Sequence, residues 1–165
     1  MRRPQMLIAI DPGKSGALAS YATSYEPPAD PRWTVERLAG SPQELAEQVR
    51  SYAEAADQLE TPRVAILEDV SGFIGKPQPG SRMFTFGRGF GQIEGVLSTL
   101  KYQIIRARPQ KWQGALSLLS RKGEPKPAHK RRMRAKALDL FPHLKPTLDQ
   151  ADALLLLYFH VNIGR

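Results

Sequence analysis

Two aspartates open the last strongly apolar segment of the chain, in the sequence LDQADALLLLYF. Asp149 and Asp152 are three residues apart, so on a helix their side chains would lie on one face, about one turn apart. The residues that follow are typical of a packed core helix, where a carboxylate is costly unless a cation or donor compensates it. One interpretation is a helix start, with Asp149 as the N-cap and Asp152 in the first turn. The other is a pair of metal ligands.

Two further acids each stand at the end of a predicted buried strand. Asp11 follows the apolar run Met6–Ile10 and precedes a Pro-Gly turn, and Glu68 closes the apolar run RVAIL. Strand side chains alternate between faces, so Glu68 and Asp69 point in opposite directions and at most one can join a shared site. Each acid alone could mark the place where a strand meets water. The four acids together indicate a divalent-metal site, because Mg²⁺ prefers oxygen ligands.

The remaining pattern predicts a single α/β domain over residues 1–165, since strands alternate with helices. Ser41, Pro42 and Glu44 are typical of a capped helix start, and the Gly- and Pro-rich segment Gly72–Arg82 predicts a flexible loop. We therefore expect strands near 6–10, 17–21, 33–38, 64–68 and 102–106, and helices near 41–59, 86–100, 109–119, 127–140 and from 149 onwards.

Composition limits the possible partners. The chain carries a formal charge of +8 over 165 residues, which favours a polyanionic partner, nucleic acid first, over a merely basic surface. It has no cysteine, which excludes disulfides and thiolate metal sites. There is no signal-peptide pattern and no apolar run of membrane-spanning length, so we expect a cytoplasmic protein of bacterial or phage type, without a membrane partner.

Basic and aromatic residues mark candidate nucleic-acid contacts. Between Arg121 and Lys136 the charged residues are basic except for Glu124, a pattern that favours phosphate-backbone binding over a solvated helix face. Three phenylalanines (84, 86 and 90) could stack on unpaired bases or could belong to the core. Glycines at 87, 91 and 95 would allow close approach of a helix, either to a second copy of the chain or to its own sheet.

The order of these motifs resembles the RuvC-type Holliday junction resolvases of the ribonuclease H-like superfamily. The resemblance rests on a strand ending in Asp11 with a small-residue hairpin, a strand ending in Glu68, and the final DxxD. Between them, FGRGFGQIEGVL, RPQKWQGAL and HKRRMRAKALDLFP resemble the family's central helix, the segment after its fifth strand and its basic helix. The resemblance implies a ribonuclease H-like α/β fold, a five-stranded mixed sheet flanked by helices on both faces.

It also implies a function: a crossover junction endodeoxyribonuclease of DNA recombination and repair, acting as a homodimer on branched DNA. The implied metal ligands are Asp11, Glu68, Asp149 and Asp152, holding two Mg²⁺ or Mn²⁺ ions, with Lys130 near the scissile phosphate. Phe73 matches an aromatic of the bacterial members, although here Ser71 and Gly72 precede it. The expected DNA contacts are Phe73, Lys76, Arg82, Arg88, Lys111, Lys126, Arg131, Arg132 and Arg134.

Three other functions fit parts of the sequence. A nuclease of the same fold could act on structured RNA or on ribosomal RNA precursors. The actin and sugar-kinase ATPases also open with a strand, an Asp and a Gly-containing hairpin like DPGKSG, but they need two such domains and this chain has one copy of the pattern. A non-catalytic nucleic-acid binder is disfavoured, since four unused buried carboxylates would be destabilising.

Overall fold

Apolar strands build one mixed sheet in the computed structural model, which describes residues 4–24, 32–69 and 79–164. An antiparallel meander consists of β1 (Gln5–Asp11), β2 (Ala17–Thr23) and β3 (Arg32–Arg37). Two later strands, β4 (Val64–Glu68) and β5 (Gln103–Ala107), extend the sheet in parallel to β1. The spatial order is β3-β2-β1-β4-β5, which confirms the predicted five-stranded mixed sheet.

Helices cover both faces of this sheet, as expected. One face packs against α1 (Pro42–Gln58) and α2 (Gly80–Thr99). The other packs against α3 (Pro109–Ala115), α4 (Lys126–Leu140) and α5 (Gln150–Asn162). The alternation of strand side chains separates two cores: Ile8 and Leu67 face α1 and α2, whereas Ala9 and Ile66 face α5.

The predicted capping box of α1 is present. The backbone N–H of Glu44 donates to Ser41 Oγ at 3.2 Å, and the N–H of Ser41 donates to Glu44 Oε2 at 3.3 Å. Leu45 and Val49 are buried against the sheet, as their helical spacing predicts.

Two predicted boundaries were wrong. Helix α2 begins at Gly80, inside the segment expected to be a loop, because Pro79 sets an extended entry and its carbonyl accepts from Arg82 N at 2.9 Å. Helix α3 ends at Ala115 instead of near residue 119. Ser117 adopts a positive φ of 59°, and Leu118 N donates back to Gln113 O at 2.7 Å, which closes the helix. The rest of the predicted loop, including Phe73 and Lys76, lies outside the described residues.

No helix in the described ranges combines the length and apolar character needed to cross a bilayer.

Candidate active site

Strand register places the first two predicted ligands side by side. β1 and β4 run parallel with Ile10 opposite Leu67, so Asp11 and Glu68 follow as neighbours where both strands end. Both lie on the sheet face that carries Ala9 and Ile66, which is the face covered by α5. The turn after Asp11 depends on Gly16, because a Cβ there would lie 2.5 Å from the Asp11 carbonyl oxygen. The prediction that Glu68 and Asp69 diverge is confirmed, since Asp69 lies 3.9 Å from Arg106 on the α2 side.

Helices α4 and α5 add a third acid and a cation to this pair. Asp152, in the first turn of α5, accepts a hydrogen bond from Lys130 of α4 through Oδ2. Its other oxygen, Oδ1, is buried and has no hydrogen-bond partner among the described residues. The Asp152 side chain is only 12% exposed. A buried carboxylate oxygen without a donor is expensive, so this oxygen is a candidate ligand for a bound cation.

The electrostatics of the cluster reflect an excess of negative charge. Burial, followed by the nearby Glu68 and Asp152 carboxylates, raises the pKa of Asp11 to about 8, against a smaller opposing effect of Lys130. Burial and then Asp152 also raise the pKa of Glu68. Burial lowers the pKa of Lys130, but the surrounding carboxylates, Asp152 first, outweigh this and raise it overall. Among the described residues, these three buried or partly buried acids therefore share the single positive charge of Lys130.

The donor chemistry of this cluster fits a hard divalent cation. Carboxylate oxygens are the ligands that Mg²⁺ and Mn²⁺ take, and the excess charge and the unpartnered Oδ1 of Asp152 would both be relieved by such an ion. Within the described residues, however, no three His, Cys, Asp or Glu side chains already form an ion-binding cage. Lys130 is paired with Asp152 in this arrangement, so metal binding would compete with that ion pair.

Asp149 differs from the other three acids because its side chain is exposed. It occupies the N-cap position of α5 with helical backbone angles, but its side chain makes no capping hydrogen bond. The cap comes from Thr147 and Gln150 instead: Gln150 N donates to Thr147 Oγ1 at 3.3 Å, and Thr147 N donates to Gln150 Oε1 at 3.0 Å. The predicted positions of Asp149 at the N-cap and Asp152 in the first turn are confirmed, but the Asp149 side chain does not cap the helix. The carboxylate is exposed, and its role as a fourth ligand stays a prediction.

Trp112 belongs to the site, although it was not among the site residues predicted from the sequence. The indole Nε1–H donates to Glu68 Oε1 at 3.2 Å, and the side chain is fully buried in the core beneath α5. The sequence carries no local signal for this contact, because the two residues lie 44 positions apart. Glu68 pairs with Ala107 at the ends of β4 and β5, and α3 begins two residues after Ala107. This short connection places Trp112 of α3 next to Glu68.

The seven described residues among those predicted to contact DNA fall into three groups. The first group consists of two arginines that make hydrogen bonds within the chain. Arg132 donates to Glu124 at 2.8 and 3.0 Å, and Arg134 Nε donates to the Pro146 carbonyl at 2.9 Å. Lys111, Lys126 and Arg131 are exposed.

Arg82 and Arg88 form the third group, on the N-terminal half of α2. They line a groove of about 1160 Å³ together with Lys14 and Arg37. Among the described residues, no acid lines this groove. It lies at the same edge of the sheet as the carboxylates, because it includes the turn that follows Asp11.

The phenylalanines and glycines of α2 differ in their surroundings. Phe86 and Phe90 pack on each other with centroids 6.2 Å apart, and Phe90 also lies under the Arg106 guanidinium. Phe84 is 72% exposed. A Cβ at Gly87, Gly91 or Gly95 would meet no described atom within 4 Å. The glycine face of α2 therefore does not pack on the described parts of its own sheet, which was one of the two interpretations.

The chain resembles known proteins in its three-dimensional structure but matches none by sequence. No protein-family model and no curated protein matches the chain. RuvC of Thermus thermophilus aligns with a TM-score of 0.55 and 15% identity, over 97% of each chain. T. thermophilus RuvC in complex with its Holliday junction substrate aligns with a TM-score of 0.58 and 16% identity, again over 97% of each chain. The yeast mitochondrial Holliday junction resolvase Ydc2 aligns over 91% of this chain and 75% of its own, with 13% identity and a TM-score of 0.44.

The two T. thermophilus structures align over almost the whole of this chain with TM-scores above 0.5. At this identity they define the fold and leave the activity open. The chain has the ribonuclease H-like fold of the RuvC structures.

Proposed function

We propose that this protein is a metal-dependent, structure-specific DNA endonuclease that resolves four-way junctions by paired phosphodiester hydrolysis. The observation that carries the proposal is the cluster of Asp11, Glu68 and Asp152 at the ends of two strands and the start of a helix. Among the described residues, Lys130 is the cation that interacts with all three carboxylates. Such a cluster is unfavourable without a ligand, and its placement on rigid elements suits a reaction that needs fixed geometry.

The acids would hold divalent ions, Mg²⁺ or Mn²⁺, with Asp149 as a further ligand at the edge of the site. Bound divalent ions supply an activated water and charge stabilisation for the leaving oxygen in phosphodiester hydrolysis. The chain itself provides orientation: strand ends fix Asp11 and Glu68, and the first turn of α5 fixes Asp152. Once released from Asp152, the Lys130 ammonium lies where it could offset negative charge on the scissile phosphate.

Nucleic acid as the substrate is supported by the basic groove at the same end of the sheet as the acids. Lys14, Arg37, Arg82 and Arg88 surround it without an acid among its described lining, and the chain carries a net charge of +8. These groups would contact phosphates and position the strand without reading its sequence. Branched DNA is the preferred form, because the structural relative T. thermophilus RuvC is known in complex with a Holliday junction.

A homodimer would match the two-fold symmetry of a four-way junction with one active site for each cut strand. The open glycine face of α2, at Gly87, Gly91 and Gly95, is the surface that we propose for this contact. The cytoplasmic location expected from the sequence stays a prediction.

Matched substrates test the proposal against the RNA alternative. A four-way DNA junction, a four-way RNA junction and a linear DNA duplex of the same sequences would be incubated with the protein and Mg²⁺. We expect cleavage of the DNA junction at least about tenfold faster than that of the other two. Preferential cleavage of the RNA junction would instead establish the ribonuclease alternative.

A further inference from the structure

The buried contact between Trp112 and Glu68 has no evident role in the core alone. Trp112 is fully buried, and its indole nitrogen is a donor that cannot accept a hydrogen bond. Its partner is a carboxylate oxygen at 3.2 Å, whereas buried indoles can equally be satisfied by a backbone carbonyl. The fold therefore places a fixed donor from α3 against one named oxygen of the site.

This contact restricts the orientation of the Glu68 carboxylate. Oε1 is engaged by the indole, and the carboxylate also shares a hydrogen bond with Asp11 on the neighbouring strand. Glu68 is 9% exposed, so few other positions are open to it. The indole donor and the contact with Asp11 together hold the carboxylate in one orientation, beside the acid with which it would share a cation.

We propose that Trp112 is a positioning residue, which holds Glu68 in the orientation needed to bind a divalent cation together with Asp11. The inference rests on the proposed function, because it assigns Glu68 as a ligand. Donors in the second layer around a metal typically change its affinity about 10- to 100-fold when removed. Trp112 is also a reporter: a cation that neutralises Glu68 changes the charge beside the indole ring and hence its fluorescence.

Trp33 provides a matched control, because it is the other tryptophan of the chain. It packs in an aromatic cluster with Tyr21 and Phe141, at centroid distances of 4.7 and 4.9 Å, away from the carboxylates. Trp33→Phe and Trp112→Phe thus make the same chemical change in the same core, and only the second removes a donor from the site.

The test measures Mn²⁺ binding by calorimetry and tryptophan emission during Mg²⁺ titration, both on the full chain without DNA. We expect Trp112→Phe to weaken Mn²⁺ binding about 10- to 100-fold, and Trp33→Phe to leave it unchanged. In Trp33→Phe, the emission of the remaining Trp112 should change and saturate at the calorimetric midpoint. In Trp112→Phe, the emission of Trp33 should stay constant.

Equal Mn²⁺ affinity of Trp112→Phe and wild type would overturn the proposal while leaving the metal site intact. The proposal would also be overturned if calorimetry shows that Trp33→Phe binds the ion but the emission of Trp112 does not change. If Trp112→Phe does not fold, this fluorescence measurement decides the question alone. A wild-type protein that binds no divalent ion would overturn both this inference and the proposed function.

Discussion

The repulsion between Asp11, Glu68 and Asp152 predicts how the folding stability of the metal-free protein depends on pH, and this can be tested without a substrate. Burial and the neighbouring carboxylates raise the pKa of Asp11 to about 8, from the ordinary value of 3.8 that it has in the unfolded chain. Between these two values the folded protein retains a proton that the unfolded chain has lost. The free energy of unfolding of the metal-free protein should therefore fall as pH rises from about 4 to about 8, because the folded state binds more protons.

Asp11→Asn removes this effect, since the amide resembles the protonated acid at every pH. One unit of pKa corresponds to about 1.4 kcal/mol, so a shift of this size sets an upper limit near 6 kcal/mol. Asp11 is only partly buried and shares charge with three neighbours, which reduces the effect. We expect Asp11→Asn to be more stable than wild type by about 1–3 kcal/mol at pH 8.5, with little difference at pH 4.

Urea unfolding followed by circular dichroism, with EDTA present throughout, measures this difference at each pH. Asp139→Asn, at an exposed position of α4, controls for the loss of one negative charge from a basic protein. An advantage of Asp11→Asn that does not grow between pH 4 and pH 8.5 would refute the argument that these acids repel one another in the folded state.

Three further predictions concern activity. Amide substitution of any one of the proposed ligands should abolish cleavage in Mg²⁺ and leave junction binding intact or stronger. Cleavage assays and gel shifts would test this for Asp11, Glu68, Asp149 and Asp152. A variant that cleaves at a near-wild-type rate would show that its substituted residue is not a ligand. Lys130→Ala should lower the cleavage rate more than affinity, whereas Arg131→Ala should weaken binding and reduce the slope of log affinity against log salt by about one. Gly91→Leu should shift the protein towards monomer in light scattering and turn paired incisions into single nicks; a monomeric protein that still makes paired cuts would contradict the symmetric dimer.

Features with a local or periodic cause could be predicted from the sequence. Apolar runs that end in acids located β1 and β4, and side-chain alternation predicted that Glu68 and Asp69 point in opposite directions. The Ser41–Glu44 capping box located the start of α1, because its two hydrogen bonds involve residues three positions apart.

Features set by tertiary contacts or by atypical residues could not be predicted. Ser117 and Lys101 adopt positive φ after the ends of α3 and α2, at positions where glycine is the usual signal. Asp149 occupies the N-cap position of α5, but Thr147 and Gln150 make the capping hydrogen bonds that its side chain was expected to make. The donor from Trp112 to Glu68 follows only from the pairing of β4 with β5.

The central claim is that this carboxylate cluster cuts four-way DNA junctions with the help of divalent ions. The most direct test is an immobile four-way junction labelled in turn on each strand, incubated with the protein in Mg²⁺ and resolved on a denaturing gel. We predict incisions at symmetry-related positions of two opposing strands, absent in EDTA and absent for Glu68→Gln. Uncut junctions in Mg²⁺, or cuts that persist in EDTA or in Glu68→Gln, would contradict the claim.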